Sequence, residues 1–286
     1  MILPYHVGNV SYVNFIFVNF QLKRSRILIQ QIQQLEKKTS PHLKVTSESS
    51  IGLVIAIVII TTWATSLIFL LSVDISKFNI LTLLLAVLWQ TFLYTGLFIT
   101  THDAMHGVVF PVNSKINHFI GSLSLVLYGF LSYEKLLKKH WMHHHNPASE
   151  KDPDFHNGEH KNFFAWYFYF MKNYWSWGQM ISLTIIYNFA HYILHVPKPN
   201  LNLFWAIPAL LSSVQLFYFG TFLPHQEPKN GYSQPHRAQT ISRPVWWSFL
   251  TCYHFGYHEE HHEYPHVPWW QLPEIYMLRR ATTNNN

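Results

Sequence analysis

Residues 51–73 and 79–101 each run for 23 positions without an Asp, Glu, Lys or Arg. A helix needs roughly 20 apolar residues to cross a hydrocarbon core, so both runs read as membrane spans. The polar turn at 74–77 joins them into a hairpin. Residues 174–195 and 202–222 lack the same four residue types and form a second expected hairpin, closed by the proline-bearing turn at 196–200. Backbone groups find no water inside a bilayer, so the expected fold is all-α with four transmembrane helices. Composition agrees, with 49% hydrophobic and 12% charged residues.

Residues 116–132 are also apolar, but the run is short and holds Gly121 and Gly129. If it crossed, the histidines at 102–106 and 140–144 would lie on opposite faces. It is therefore expected to be re-entrant or interfacial, beneath a helical cap that carries the histidines. Of the 20 Lys and Arg, 18 lie before the first span, between the hairpins or after the fourth span; only Lys77 and Lys198 occupy the opposite turns. The positive-inside rule then puts the histidine face and both termini in the cytoplasm. Residues 1–50 are expected to be a mobile or surface-lying extension, 51–275 the membrane domain and 276–286 a tail. Lys23, Arg24 and Arg26 follow the apolar start of the chain rather than precede it, which argues against a secretory signal.

Twenty histidines equal Lys and Arg combined. His258, His261 and His262 stand at i, i+3 and i+4, within about 100° of one another on a helix. His140, His143 and His144 repeat that spacing, and His102 and His106, at i and i+4, continue the second span. His225 directly follows the fourth span on the same side and is the expected single ligand. His254, four residues before His258, shares its face and is expected behind the ligands with Asp103, Asp154, His156 and Glu260. Asp152 and Glu259 read equally well as surface acids. His145 points about 140° away from His140 and is left out. His191 and His195 read as packing residues on the far side, and His6, His42, His118, His160, His236 and His266 stand alone.

Nine neutral imidazoles exceed the needs of one metal ion, so two are implied. The lone Cys252 excludes cysteine-based sites and disulfides. Zinc suits such ligands but has no redox chemistry, whereas a histidine-rich face beside aromatic spans suits a redox metal and dioxygen. Phe217, Tyr218, Phe219, Trp269 and Trp270 are candidates to contact an apolar substrate, and residues 265–273 read as a lid or interface anchor. No Rossmann or flavin fingerprint is present, so electrons must come from a partner. The net charge of +6 forms no basic stripe, which argues against nucleic acid. A metal transporter would carry ionisable residues inside its spans, which these lack. A bis-histidine haem protein would set its ligands inside the bundle.

The motifs HDAMH, HWMHH and HEEHH resemble the three histidine boxes of the membrane fatty-acid desaturase and hydroxylase superfamily. HDAMHG, DPDFH at 152–156, FYFGTFLPH at 217–225, FLTCYHFGYHEEHH at 249–262 and PWWQLP at 268–273 resemble, more narrowly, the bacterial histidine-box β-carotene ketolases. The resemblance covers roughly residues 95–275. It implies ligands at His102, His106, His140, His143, His144, His225, His258, His261 and His262, holding two iron ions for which zinc can substitute. It further implies O2-dependent oxidation of ring carbon C4 of a carotenoid to a ketone, with electrons from a ferredoxin-type donor. A carotenoid hydroxylase or a fatty-acid desaturase of the same superfamily is the alternative.

Overall fold

The computed structural model describes residues 50–283 apart from 157, 160, 233 and 234, within the compact unit Ser47–Asn286. The expectation for residues 1–49 lies outside the described residues. All regular structure among them is helical.

Helix α1 (Ile51–Ser72) and helix α2 (Ile80–Met105) form the first hairpin. Asp74 caps the turn between them by accepting the Ser76 amide at 3.1 Å, and Asn79 starts α2 by accepting the Thr82 amide at 2.9 Å. At 26 residues α2 is roughly 39 Å long, so its last turn, which bears His102, outruns a hydrocarbon core. Val54, Val58, Ile68 and Phe69 of α1 and Leu81, Leu84 and Leu88 of α2 are exposed, as lipid-facing side chains are.

Helix α3 (Ser114–Gly129) doubles back beside α2. The Asn117 amide donates to the Ala104 carbonyl at 2.7 Å, the Thr101 hydroxyl donates to the Gly121 carbonyl at 3.1 Å, and Tyr128 reaches the level of Tyr94. A Cβ at Gly121 would come within 2.5 Å of the Ala104 Cβ, so glycine is what admits this approach. Phe130, left-handed at φ 57°, then turns the chain back towards helix α4 (Tyr133–His145).

The expected third span, 174–195, is shortened at both ends. Helix α5 (Phe163–Tyr174) ends before Ser176, whose hydroxyl accepts the Gln179 amide and starts helix α6 (Trp177–Tyr192). With 16 residues α6 is roughly 24 Å long, short of a core of about 30 Å. Its Ile181, Ile185 and Phe189 nevertheless form an exposed apolar stripe. Helix α7 runs without a break over Lys198–Phe222, with π-helical turns at Asn202–Ala206 and Tyr218–Phe222. Asn200 donates to the Leu70 and Val73 carbonyls at 3.0 and 2.8 Å and ties the start of α7 to the end of α1. Three helices, α1, α2 and α7, are therefore long and apolar enough to cross a membrane.

Three short helices complete the fold: α8 (Val245–Cys252), α9 (His258–Glu263) and α10 (Leu272–Thr283). Helix α10 replaces the tail expected from residue 276. Trp269 is buried, stacked 5.8 Å from Phe249 and edge-on 5.2 Å from Tyr253, so it plugs the core under the cap rather than anchoring at an interface.

Candidate metal centre

The end of α2, the inner face of α4, the residue three past α7 and helix α9 deliver all nine expected histidines to one cluster. His102, His106, His140 and His261 bring one ring nitrogen each within 4.8 Å of one another, and His143, His225, His258 and His262 do the same. His144 lies between the two tetrads, its Nε2 3.0 Å from Nε2 of His261 and its ring centroid 4.3 Å from that of His262.

The contacts are nitrogen to nitrogen. Nε2 of His106 faces Nε2 of His140 at 2.7 Å, His143 faces His262 at 3.0 Å, and His258 faces both His225 at 3.0 Å and His262 at 3.1 Å. His143 gives its Nδ1 hydrogen to Asp152, whose oxygens lie at 2.9 and 3.0 Å. His225 gives its own to the Arg237 carbonyl at 2.9 Å. Both therefore turn a bare Nε2 lone pair inward. His258 Nε2 faces two other ring nitrogens at once, a pattern that a bound cation would account for. Nitrogens held about 2.1 Å from one ion at right angles lie about 3.0 Å apart, and this donor set fits that geometry.

Burial supports the same assignment. Desolvation, reinforced by neighbouring histidines, keeps His140, His144, His258, His261 and His262 neutral by lowering their pKa values, and it pushes His106 and His225 down to about 3. Neutral imidazole is the metal-binding form. His143 differs: burial opposes its charge, but Asp152 and Asp154 outweigh burial and raise its pKa. Asp154, desolvated, is pushed up to about 6.

A cavity of about 340 Å³ ends on His102, His140, His143 and His258. Its wall along α7 is the stripe Trp205, Ala209, Ser213, Leu216, Phe217 and Gly220, with Phe170 and Tyr174 of α5 and Gln179, Leu183 and Tyr187 of α6 opposite. Trp205 to Thr221 spans roughly 24 Å of helix, so the space is long and narrow. Gly220 lies in the second π-helical turn, where a Cβ would come 2.1 Å from the ring of Phe255. Phe255 in turn stands edge-on 4.8 Å from His102.

The fatty acid desaturase family matches residues 78–193 and 172–285, which hold every one of these histidines. The chain belongs to the fatty acid desaturase family. It is 37% identical to a zeaxanthin 4-ketolase of Chlamydomonas reinhardtii, over 80% of this chain and 54% of that protein. It is 42% identical to a beta-carotene 4-ketolase of Protosiphon botryoides, over 70% of this chain and 52% of that protein. It is 43% identical to a beta-carotene ketolase of Paracoccus sp. (strain PC1), over 64% of this chain and 74% of that protein. The chain thus spans about half the length of the two algal relatives.

Within this desaturase-family fold, some expected neighbours of the histidines lie elsewhere. Asp103 stays close, with Oδ1 3.6 Å from His102 Nδ1 and Oδ2 accepting the Trp269 amide at 3.2 Å. His254 does not share the face of His258, because Tyr253 and His254 are left-handed (φ 48° and 63°) and separate α8 from α9. Its ring lies among Phe249, Tyr257 and Trp269 instead. His156 packs on Phe155 and Trp166, away from the tetrads. Glu260 turns outward to Thr240 and to Arg279, which it meets at 2.8 Å. Of the five aromatics, Phe217 lines the cavity; Tyr218, Phe219, Trp269 and Trp270 do not.

Asp152, which reads from sequence equally well as a partner of the histidines or as a surface acid, is the carboxylate that orients His143. Asp152→Asn should weaken metal retention about 10- to 100-fold. Chelator titration of the purified protein, with metal content read at each step, checks this.

Proposed function

We propose that the chain is a β-carotene ketolase that oxidises C4, the allylic methylene of a β-ionone ring, to a ketone. The observation that carries this reading is the long apolar cavity ending on four histidines of the double tetrad, in a chain whose relatives are named ketolases of β-carotene and zeaxanthin. The zeaxanthin relative favours 3-hydroxylated rings as further substrates.

Two iron ions held by the nine histidines would supply the redox chemistry that activates dioxygen. Each round converts a C–H bond, O2, two electrons and two protons into C–OH and water. A second round on the same carbon gives a gem-diol, which loses water to leave the carbonyl. The chain's own residues hold, orient and exclude. His143 and His225 keep fixed tautomers through Asp152 and the Arg237 carbonyl. Phe255 and Phe217 close the apolar end around the ring, and the α7 stripe guides the polyene.

Electrons would come from a ferredoxin-type protein at the histidine face. That face is assigned to the cytoplasm on the distribution of Lys and Arg, with α6 and α7 as the second membrane hairpin.

The test is expression in a host that accumulates β-carotene, followed by pigment analysis, with His261→Ala alongside. Mono- and diketo products in the wild type and none in the variant are expected. Ring-hydroxylated products alone, or untouched pigment with altered fatty acids, would refute the ketolase assignment.

A further inference from the structure

Asp154 is the one carboxylate lining the cavity among the described residues, and it stands with Asp152 beside His143. His143 is already served by Asp152, whose two oxygens lie at 2.9 and 3.0 Å from its Nδ1. Asp154 Oδ2 stands 3.8 Å from that nitrogen, beyond hydrogen-bond reach. Asp154 Oδ1 accepts a hydrogen bond from the Tyr174 hydroxyl, and Tyr174 lines the same cavity. Lys139 donates to the Asn173 carbonyl and lies 4.7 Å over the Tyr174 ring, so the pair is braced from behind. That leaves Oδ2 as an acceptor in a cavity whose other lining includes apolar Leu136, Phe217 and Phe255.

A hydrocarbon ring offers such an oxygen nothing. A ring that has been oxidised once offers an O–H. We propose that Asp154 accepts a hydrogen bond from the hydroxyl placed on C4 in the first round, and so turns the remaining C4–H bond towards the histidines for the second. This rests on the ketolase reading and explains how one cavity keeps a half-oxidised product instead of releasing it. The second round consumes O2 and two electrons from the same one-electron donor protein and yields the gem-diol and water; the gem-diol then dehydrates. No proton on Asp154 need move.

The backbone around Asp154 is held independently of its carboxylate. Trp166 Nε1 donates to the Asp154 carbonyl at 2.8 Å and Asn173 donates to the Pro153 carbonyl at 2.9 Å, so truncation of the side chain is compatible with folding.

The full chain, Asp154→Ala and Tyr174→Phe are expressed in cells that accumulate β-carotene. The ratio of 4-hydroxy to 4-keto rings is measured, with metal content determined on the purified proteins. Asp154→Ala should raise that ratio about tenfold, the equivalent of about 1.4 kcal/mol in one hydrogen bond. Tyr174→Phe, which keeps the carboxylate but frees it, should raise the ratio less. A 4-hydroxylated carotenoid fed directly should be converted to ketone more slowly by both variants. If total oxidation falls while the ratio stays at the wild-type value, or if both variants lose metal, Asp154 is structural and the inference is overturned. A wild-type chain that makes no ketone overturns the ketolase reading itself, whereas a ketone-forming wild type whose variants keep its ratio overturns only the role of Asp154.

Discussion

Replacing His258 with alanine is expected to lower the metal content from two ions per chain to one and to cut ketone formation a hundredfold or more. The reason lies in its position. Nε2 of His258 is the nitrogen that faces both His225 and His262, so it closes the second tetrad. Without it that site keeps His143, His225 and His262, and a loss of even an indirect contact to a ligand costs about 10- to 100-fold in affinity. The first tetrad shares no member with the second, so it should stay loaded. Elemental analysis beside pigment analysis checks both halves. Full metal content in His258→Ala would show that the tetrads are not two separate sites.

A second large effect is expected from Ala209→Phe. Ala209 lies in the cavity wall twelve residues before Thr221, roughly 18 Å along α7 from the histidine end. A phenyl ring there occupies the path of any long apolar molecule without touching a histidine. Oxidation of β-carotene should fall at least tenfold, with both ions retained. A short analogue bearing the same ring on a truncated chain should be oxidised equally by wild type and variant. Equal loss with both substrates would place the polyene elsewhere. Binding energy along the chain, away from the reacting carbon, is what positions a substrate so lacking in polar handles.

The histidine clusters were legible because a helix repeats every 3.6 residues, and ligands on one face must recur at three and four. The spacing at 140–144 and 258–262 carries that signal, and the structure places those rings together. His254 failed because the helix does not continue through it. The chain breaks at Tyr253 and His254, both left-handed, and Gly256 lies in the same gap before α9. Helical periodicity does not carry across that gap. Glu260 failed differently: its azimuth on α9 was readable, but Arg279 on the following helix, which draws it outward, was not.

Arg237, and the pairing of Asp152 with His143 in particular, were illegible because they depend on loops that curl back over the cluster, 12 residues from His225 and 9 from His143. Spans were easier, since the absence of charge is a property of composition. Even there, Ser176 sits inside an apolar run and starts a new helix, which shortens α6 in a way that hydropathy alone does not register.

Each tetrad draws from both the earlier and the latest parts of the fold: His106 and His261, members of one, are 155 positions apart in the chain. During translation at about 5–20 residues per second, the first histidines therefore wait roughly 8 to 30 seconds for their partners to be made. Neither tetrad can be completed before α9 has been made. Loading of an ion at either one would therefore follow the docking of α9.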